Sequence, residues 1–173
     1  MNFFRKFIIS GMGMGYLRPA PGTWGSAAAA GVYLACRYFA GPNMVLLTLI
    51  MLAVAILSTT GCVMLGDFTE RWYGRKDPSH CTLDEWAGQS IALLFLPCEY
   101  SWKSTLIFVA AAFVAFRVFD ILKPAPARNF ERFDKGIGVV ADDLVAGLYA
   151  CVTVQLLIKS AVFLPAVNYW NFS

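Results

Sequence analysis

The sequence predicts an all-α protein: a single membrane-associated helical bundle with several short apolar helices and with motif loops on the cytoplasmic side. Of its 173 residues, 58% are hydrophobic and 14% are charged, whereas a soluble domain carries about 25% charged residues. Residues 44–66 form a run of 23 residues without a charged side chain, and a membrane span needs about 20. No internal repeat, linker or low-complexity segment is visible, so residues 1–173 are predicted to form one domain. A very apolar bundle that lies on the membrane or dimerises is the alternative.

The N-terminal region combines a short apolar patch with a segment rich in glycine and proline. Residues 1–14 lack the features of a signal peptide and are predicted to anchor at the membrane interface. In the segment 15–26, Thr23 or Ser26 can cap a helix that starts at Ala27. Free backbone N–H groups at such a helix entry suit an anion, although a simple turn and cap also accounts for the segment.

Glycine or proline follows each of the later apolar runs, as expected at helix boundaries. The longest run is predicted to continue as an amphipathic helix to about Tyr73, before Gly74 and Pro78. Thr82 or Asp84 can cap the next helix, which is short for a membrane span. The predicted helices cover residues 27–40, 44–73, 85–96, 103–119 and 139–164.

The distribution of basic residues predicts the orientation. If the N-terminus is cytoplasmic and the runs 27–40, 44–66, 86–97, 104–121 and 143–164 alternate across the membrane, 11 of the 14 basic residues fall inside. This is the positive-inside bias. The same threading places the motif-bearing stretches on the cytoplasmic side. Because the first and third runs are short, this threading predicts the side of the membrane for each motif better than it predicts the number of spans.

Composition also argues against several classes of protein. A net charge of +3 without a basic-aromatic repeat gives no support for nucleic-acid binding. The five cysteines are scattered without C-x-x-C spacing, and there is one histidine, His80. A zinc site is therefore not expected, and the odd cysteine count favours reduced thiols over a disulfide framework.

Two pairs of adjacent acids stand at the beginning of apolar runs, where charged residues are costly and mark functional sites. They are Asp84 with Glu85, and Asp142 with Asp143. Adjacent helical residues point about 100° apart, so both members of a pair converge on a cation most easily in a first turn. Capping of a helix by acids is the alternative for either pair taken alone.

A glycine follows one acid of each pair by four residues. Gly88 follows Asp84 and Gly147 follows Asp143, so each glycine lies one turn further along the same helix face. Small residues let two helix backbones come close together. We therefore predict that the two helices touch beneath a shared site.

A third stretch combines cations with an acid. Arg117, Asp120 and Lys123 are spaced to line one helix face, and the two cations could grip a phosphate. An interfacial helix end with salt bridges and snorkelling side chains is the alternative.

Carboxylates that converge without histidine or cysteine favour a hard cation, Mg²⁺ first and Mn²⁺ second. Nearby cations and a glycine-rich helix entry suit a phosphate. A metal site and a phosphate site side by side predict metal-assisted hydrolysis of a phosphomonoester. The sequence has no C-x5-R, D-x-D or DG-xx-AR motif, and its one histidine stands among loop residues, so the other common phosphate chemistries fit less well. The competing hypothesis is a small membrane transporter or ion-binding protein with buried carboxylates.

The stretches PAPGTWGS, DEWAG, FRVFDILKPAPAR and GIGVVADDLVAG, in this order and over nearly the whole chain, resemble the phosphatidylglycerophosphatase A family. The resemblance implies an all-α bundle that removes the terminal phosphate of phosphatidylglycerophosphate, in the lipid bilayer, with Mg²⁺ as cofactor. It also implies the bacterial inner membrane, with the active site facing the cytoplasm. One departure is Lys135-Gly136, where the family often has two glycines, and it bears on the flexibility of that loop.

Motif by motif, the resemblance also implies the site residues, but it does not say which acid has which role. The roles given next, and one arginine added from the third motif, are our own prediction. The expected metal ligands are Asp84, Glu85, Asp120 and Asp143. The expected catalytic set is Asp84, Glu85, Asp120, Asp142 and Asp143. The expected phosphate-binding residues are Thr23, Ser26, Arg117, Lys123 and the added Arg128.

Overall fold

The computed structural model describes residues 2–75, 78–98, 101–125 and 136–160. In these residues the protein contains six α-helices, a 3-10 turn at Met14–Tyr16 and no strand, which confirms the predicted all-α class. The helices are α1 (Asn2–Ile9), α2 (Pro21–Ala40), α3 (Met44–Tyr73), α4 (Leu83–Ala92), α5 (Trp102–Leu122) and α6 (Gly136–Lys159).

The short helix α4 is the centre of the bundle. It packs against α2, α3, α5 and α6, and eight of its 10 residues are buried. A helix of this length is about 15 Å long, half the thickness of a bilayer's hydrocarbon core of about 30 Å. The longer helices therefore enclose α4, and residues on it are placed inside the bundle.

Three helices, α3, α5 and α6, are long and apolar enough to cross a membrane, by length and composition. With 30 residues, α3 is about 45 Å long and exceeds the hydrocarbon core. Its predicted polar extension to Tyr73 is confirmed, and Gly74 ends the helix with φ 68°. Large apolar side chains such as Leu57 and Ile121 are more than 70% exposed on α3 and α5, which suits contact with lipid.

The helix α2 begins earlier than predicted. It starts at Pro21, after Ala20 in the left-handed region and without a side-chain cap. The Ser26 hydroxyl donates a hydrogen bond of 3.0 Å to the Gly22 carbonyl inside the helix, so the prediction that Thr23 or Ser26 caps the helix is wrong. Proline suits the first helical position because its fixed φ is already helical and its missing N–H is not needed there.

The helix α6 also begins earlier than predicted, at Gly136. Asp142 and Asp143 therefore lie within the helix, beyond its first turn, and both are buried. Gly136 packs against the backbone of Cys62 in α3, where a Cβ atom would clash. The idea that these acids occupy or cap a first turn is wrong, because this close contact with α3 places the helix start further back.

The helix α4 is shorter than predicted, because it ends at Ala92 and not at Leu96. Thr82 occupies its N-cap position without a side-chain cap bond, and Asp84 lies inside the first turn. The described parts of the four motifs thus lie mostly on helices. Of the glycine- and proline-rich segment that was expected to be a loop, the part from Pro21 onward belongs to α2.

Candidate active site

Three carboxylates from two helices meet in the bundle. The carboxylate oxygens of Asp84 and Glu85 on α4 and of Asp143 on α6 lie within 4.8 Å of one another. Asp84 and Asp143 are each 5% exposed. The Oε2 atom of Glu85 is buried and has no hydrogen-bond partner among the described residues. Negative charge so concentrated and so little solvated needs a cation or protons to balance it.

The two predicted glycines bring these acids together. A Cβ atom on Gly88 would lie 2.5 Å from the carbonyl oxygen of Asp143, and a Cβ on Gly147 would collide with the carbonyl oxygen of Gly88. The backbones of α4 and α6 therefore touch one turn beyond Asp84 and Asp143. This confirms the close approach that the acid-to-glycine spacing predicted.

The donor set at this point fits a hard divalent cation. Burial raises the pKa of Glu85 well above its usual value, and the carboxylates of Asp84 and Asp143 raise it further. A cation bound among the three would favour the ionised form of each acid. Because all the donors are carboxylate oxygens, the group suits Mg²⁺ or Mn²⁺.

Two cations flank the carboxylates, each held by an acid. Arg117 Nη1 lies 2.8 Å from Asp120 Oδ2 on α5, and Lys123 Nζ lies 2.5 Å from Asp142 Oδ2 on α6. The side chains of Lys123 and Arg117 remain 32% and 21% exposed, although Arg117 Nη1 itself is buried. Asp120 lies outside the group of three, although its carboxylate is beside Asp143.

The first turn of α2 completes the site. A Cβ atom on Gly22 would collide with Glu85 Oε1 and would lie 3.4 Å from Arg117 Nη1. The first turn of α2, the start of α4, the end of α5 and the acid-bearing part of α6 thus meet at one place. Thr23 lies in this turn and is partly buried, whereas Ser26 is fully buried and its hydroxyl bonds within the helix. Arg128 lies outside the described residues.

One buried polar residue beside the site, Gln89, was not predicted from the sequence. Gln89 is fully buried one turn after Glu85, and among the described residues neither atom of its amide has a hydrogen-bond partner. A buried amide without a partner costs about 1–3 kcal/mol, so we expect a bound water or ligand here. The available signal was a polar amide four residues after Glu85, on the same face of the helix.

Comparisons with known proteins identify the family of the chain. The family model Phosphatidylglycerophosphatase A matches residues 7–158. The chain is 35% identical over 165 residues to the Phosphatidylglycerophosphatase A of Haemophilus influenzae, covering 92% of this chain and 86% of the relative. It is 34% identical over 140 residues to the Escherichia coli protein of that name, covering 80% and 74%.

A third relative carries a different name. A Bacteroides thetaiotaomicron protein with the provisional name phosphatidylinositol-3-phosphatase is 36% identical over 155 residues, covering 90% of this chain and 94% of the relative. No solved structure matches. The family model covers most of the chain and includes every described acid of the site. The chain therefore belongs to the phosphatidylglycerophosphatase A family, a membership that supports a membrane-associated phosphatase with a lipid substrate.

Proposed function

We propose that this protein hydrolyses the terminal phosphomonoester of phosphatidylglycerophosphate to give phosphatidylglycerol, with Mg²⁺ as its cofactor. The observation that carries the proposal is the meeting of Asp84, Glu85 and Asp143 beside two partly exposed cations. The names of the family model and of two relatives supply the substrate. A transporter or proton relay would need the acids but not the two cations.

Each residue of the site has a proposed task. Asp84, Glu85 and Asp143 would hold Mg²⁺, which when bound supplies positive charge to offset the charge of the phosphate oxygens. Arg117 and Lys123 bind the phosphate through charge-assisted hydrogen bonds. Asp120 orients the side chain of Arg117, and Asp142 orients that of Lys123, so these two acids act as positioning residues.

The first test measures phosphate release by the purified protein in detergent. We expect turnover of phosphatidylglycerophosphate with Mg²⁺, and a loss on the order of a hundredfold or more in excess EDTA, because the buried acids repel one another without a cation. Addition of Mg²⁺ beyond the chelator should restore the rate. Full turnover in EDTA would rule out the metal mechanism.

The same assay with phosphatidylinositol 3-phosphate tests the activity that the name of the Bacteroides relative suggests. Both lipids present a phosphomonoester on a headgroup, so the site can accept either in principle. We expect the higher kcat/KM with phosphatidylglycerophosphate. A reversed preference would assign the inositol lipid, and binding of Mg²⁺ without phosphate release from either lipid would favour the ion-binding alternative.

We further propose that the site faces the cytoplasm of a bacterial inner membrane, because 11 of 14 basic residues thread to that side. In a variant without native cysteines, Arg75→Cys and Lys135→Cys should react with a membrane-impermeant thiol reagent only after the cells are opened. Lys103→Cys, threaded to the other side, should react in cells whose inner membrane is intact. The reverse pattern would overturn the orientation.

A further inference from the structure

An apolar groove with a volume of about 500 Å³ lies between α1, α2, α3 and α4. The groove is lined by Val32, Val54 and Leu57, and on the α4 side by Trp86. Its rim is exposed: Leu57 is 72% and Phe4 is 66% accessible. The volume is within the range of about 300–1,000 Å³ that is usual for ligand sites, and an apolar rim on a membrane protein opens toward lipid.

Two buried polar atoms lie beside Gly11, which lines the groove together with Trp86. Thr82 Oγ1 and Trp86 Nε1 lie close to Gly11, where a Cβ atom would come within 2.5 Å and 2.6 Å of them. Thr82 is fully buried and Trp86 is 7% exposed. Neither atom has a hydrogen-bond partner among the described residues. A hydroxyl and an indole N–H are both donors, so they suit a ligand that carries an oxygen acceptor.

The groove and the carboxylates share the first turn of α4. Trp86 follows Asp84 by two residues and points about 200° away from it, so the groove and the acids lie on opposite faces of one short helix. The distance from the groove to the acids is about one helix diameter, roughly 10 Å. Gly22 lies against Glu85 at the start of α2. Val32, which lines the groove, follows Gly22 by ten residues on the same helix, so it lies about 15 Å further along the helix axis.

We propose that the groove binds an acyl chain of the phospholipid substrate. The ester carbonyl then accepts hydrogen bonds from Thr82 and Trp86, and the headgroup crosses the end of α4 to the acids. A phosphodiester and a second glycerol separate the acyl esters from the terminal phosphate, which is enough to span about 10 Å. The inference rests on the proposed function, because that function supplies the lipid.

The groove has a catalytic purpose beyond affinity. A chain that moves from the bilayer into the groove leaves one apolar environment for another, so little hydrophobic free energy is gained. The benefit is orientation, because a fixed acyl chain and ester limit the positions that the terminal phosphate can take. A substrate of the bilayer needs this more than a soluble one, since its headgroup otherwise moves freely over the protein surface.

The test fills the groove and varies the chain length. Val32→Trp and Val54→Trp place bulk in the deep part of the groove, which the chains of dihexanoyl phosphatidylglycerophosphate are too short to need. With the dioleoyl lipid we expect kcat/KM to fall roughly tenfold or more, and with the dihexanoyl lipid to change by less than about twofold. Ala35→Trp and Leu52→Trp, on exposed positions of the same helices outside the groove, should change neither value.

Equal losses on both substrates, or no loss on either, would overturn the groove assignment. Photolabelling provides a readout that does not depend on turnover. A dioleoyl phosphatidylglycerophosphate with a diazirine in one chain should label peptides of the groove, and unlabelled substrate should compete. If phosphatidylcholine reduces the labelling as well as unlabelled substrate does, then bulk lipid fills the groove and the proposal is rejected. Failure of the proposed function is distinct, because wild-type protein would then release no phosphate from either chain length.

Discussion

Asp84→Asn and Asp143→Asn are each expected to lower kcat at saturating Mg²⁺ by about a hundredfold or more, which is about 2.7 kcal/mol of transition-state stabilisation. Both side chains are buried and point their oxygens at the same place as Glu85. Asparagine keeps the size of aspartate but loses the charge that a hard cation requires. Phosphate release from phosphatidylglycerophosphate, measured on protein that elutes as the wild type does, gives the result.

The matched control is Asp67→Asn, an exposed acid in the polar part of α3, which should stay within a few-fold of wild type. Near-normal turnover in both buried variants would show that these acids serve only the packing of α4 and α6. Asp120→Asn decides a further point. Because Asp120 positions Arg117, we expect KM for the lipid to rise and the Mg²⁺ concentration for half-maximal rate to stay unchanged. A rise in that Mg²⁺ concentration would instead make Asp120 a metal ligand.

The meeting of the two helices was predictable from the sequence because it depends on local spacing. Gly88 and Gly147 each follow an acid by one turn, and a glycine on the acid-bearing face has few uses other than close approach. The same reasoning could not place the helix starts. At Pro21 and at Gly136, residues that often break helices instead begin them, and contacts with α3 decide the second case.

The prediction that Arg117, Asp120 and Lys123 share one face was only partly right. The i, i+3 pair Arg117–Asp120 forms as expected within α5. Lys123 lies just beyond the end of the helix, in the left-handed region with φ 43°, so helical spacing no longer fixes where its side chain points. It reaches across to Asp142 on α6. A glycine would be the usual choice for that φ. The helix was predicted to end at residue 119 and ends at Leu122.

Features that depend on several elements could not be derived from the sequence. The groove is formed by four successive helices, with lining residues spread from Phe4 to Trp86. In sequence, Val32, Val54 and Leu57 are ordinary members of apolar runs, and Trp86 looks like a core aromatic residue. Their common cavity becomes visible only when α1 is packed beside α3, a contact to which the cation–π pair of Lys6 with Trp72, at 3.8 Å, contributes.

Gly88→Ala and Gly147→Ala are expected to destabilise the protein by about 3 kcal/mol or more, the upper end of the usual cost of overpacking. Each new methyl would meet a carbonyl oxygen of the facing helix, at 2.5 Å or closer. A carbonyl is part of a hydrogen-bonded helix and cannot swing aside as a flexible side chain can. The backbones must therefore separate, which also pulls Asp84 away from Asp143 and should abolish activity in any folded fraction.

Gly31→Ala in α2 is the matched control, because a Cβ at Gly31 would have no atom within 4 Å. Alanine in a helix interior is favoured over glycine by about 0.5–1 kcal/mol, so this variant should be slightly more stable and fully active. Alanine brings the same gain in helix stability at Gly88 and Gly147, but this gain is smaller than the free energy lost to the clash. Thermal unfolding in detergent, followed by helical circular dichroism, measures all three. An unchanged Tm in both Gly88→Ala and Gly147→Ala would show that α4 and α6 do not touch as described.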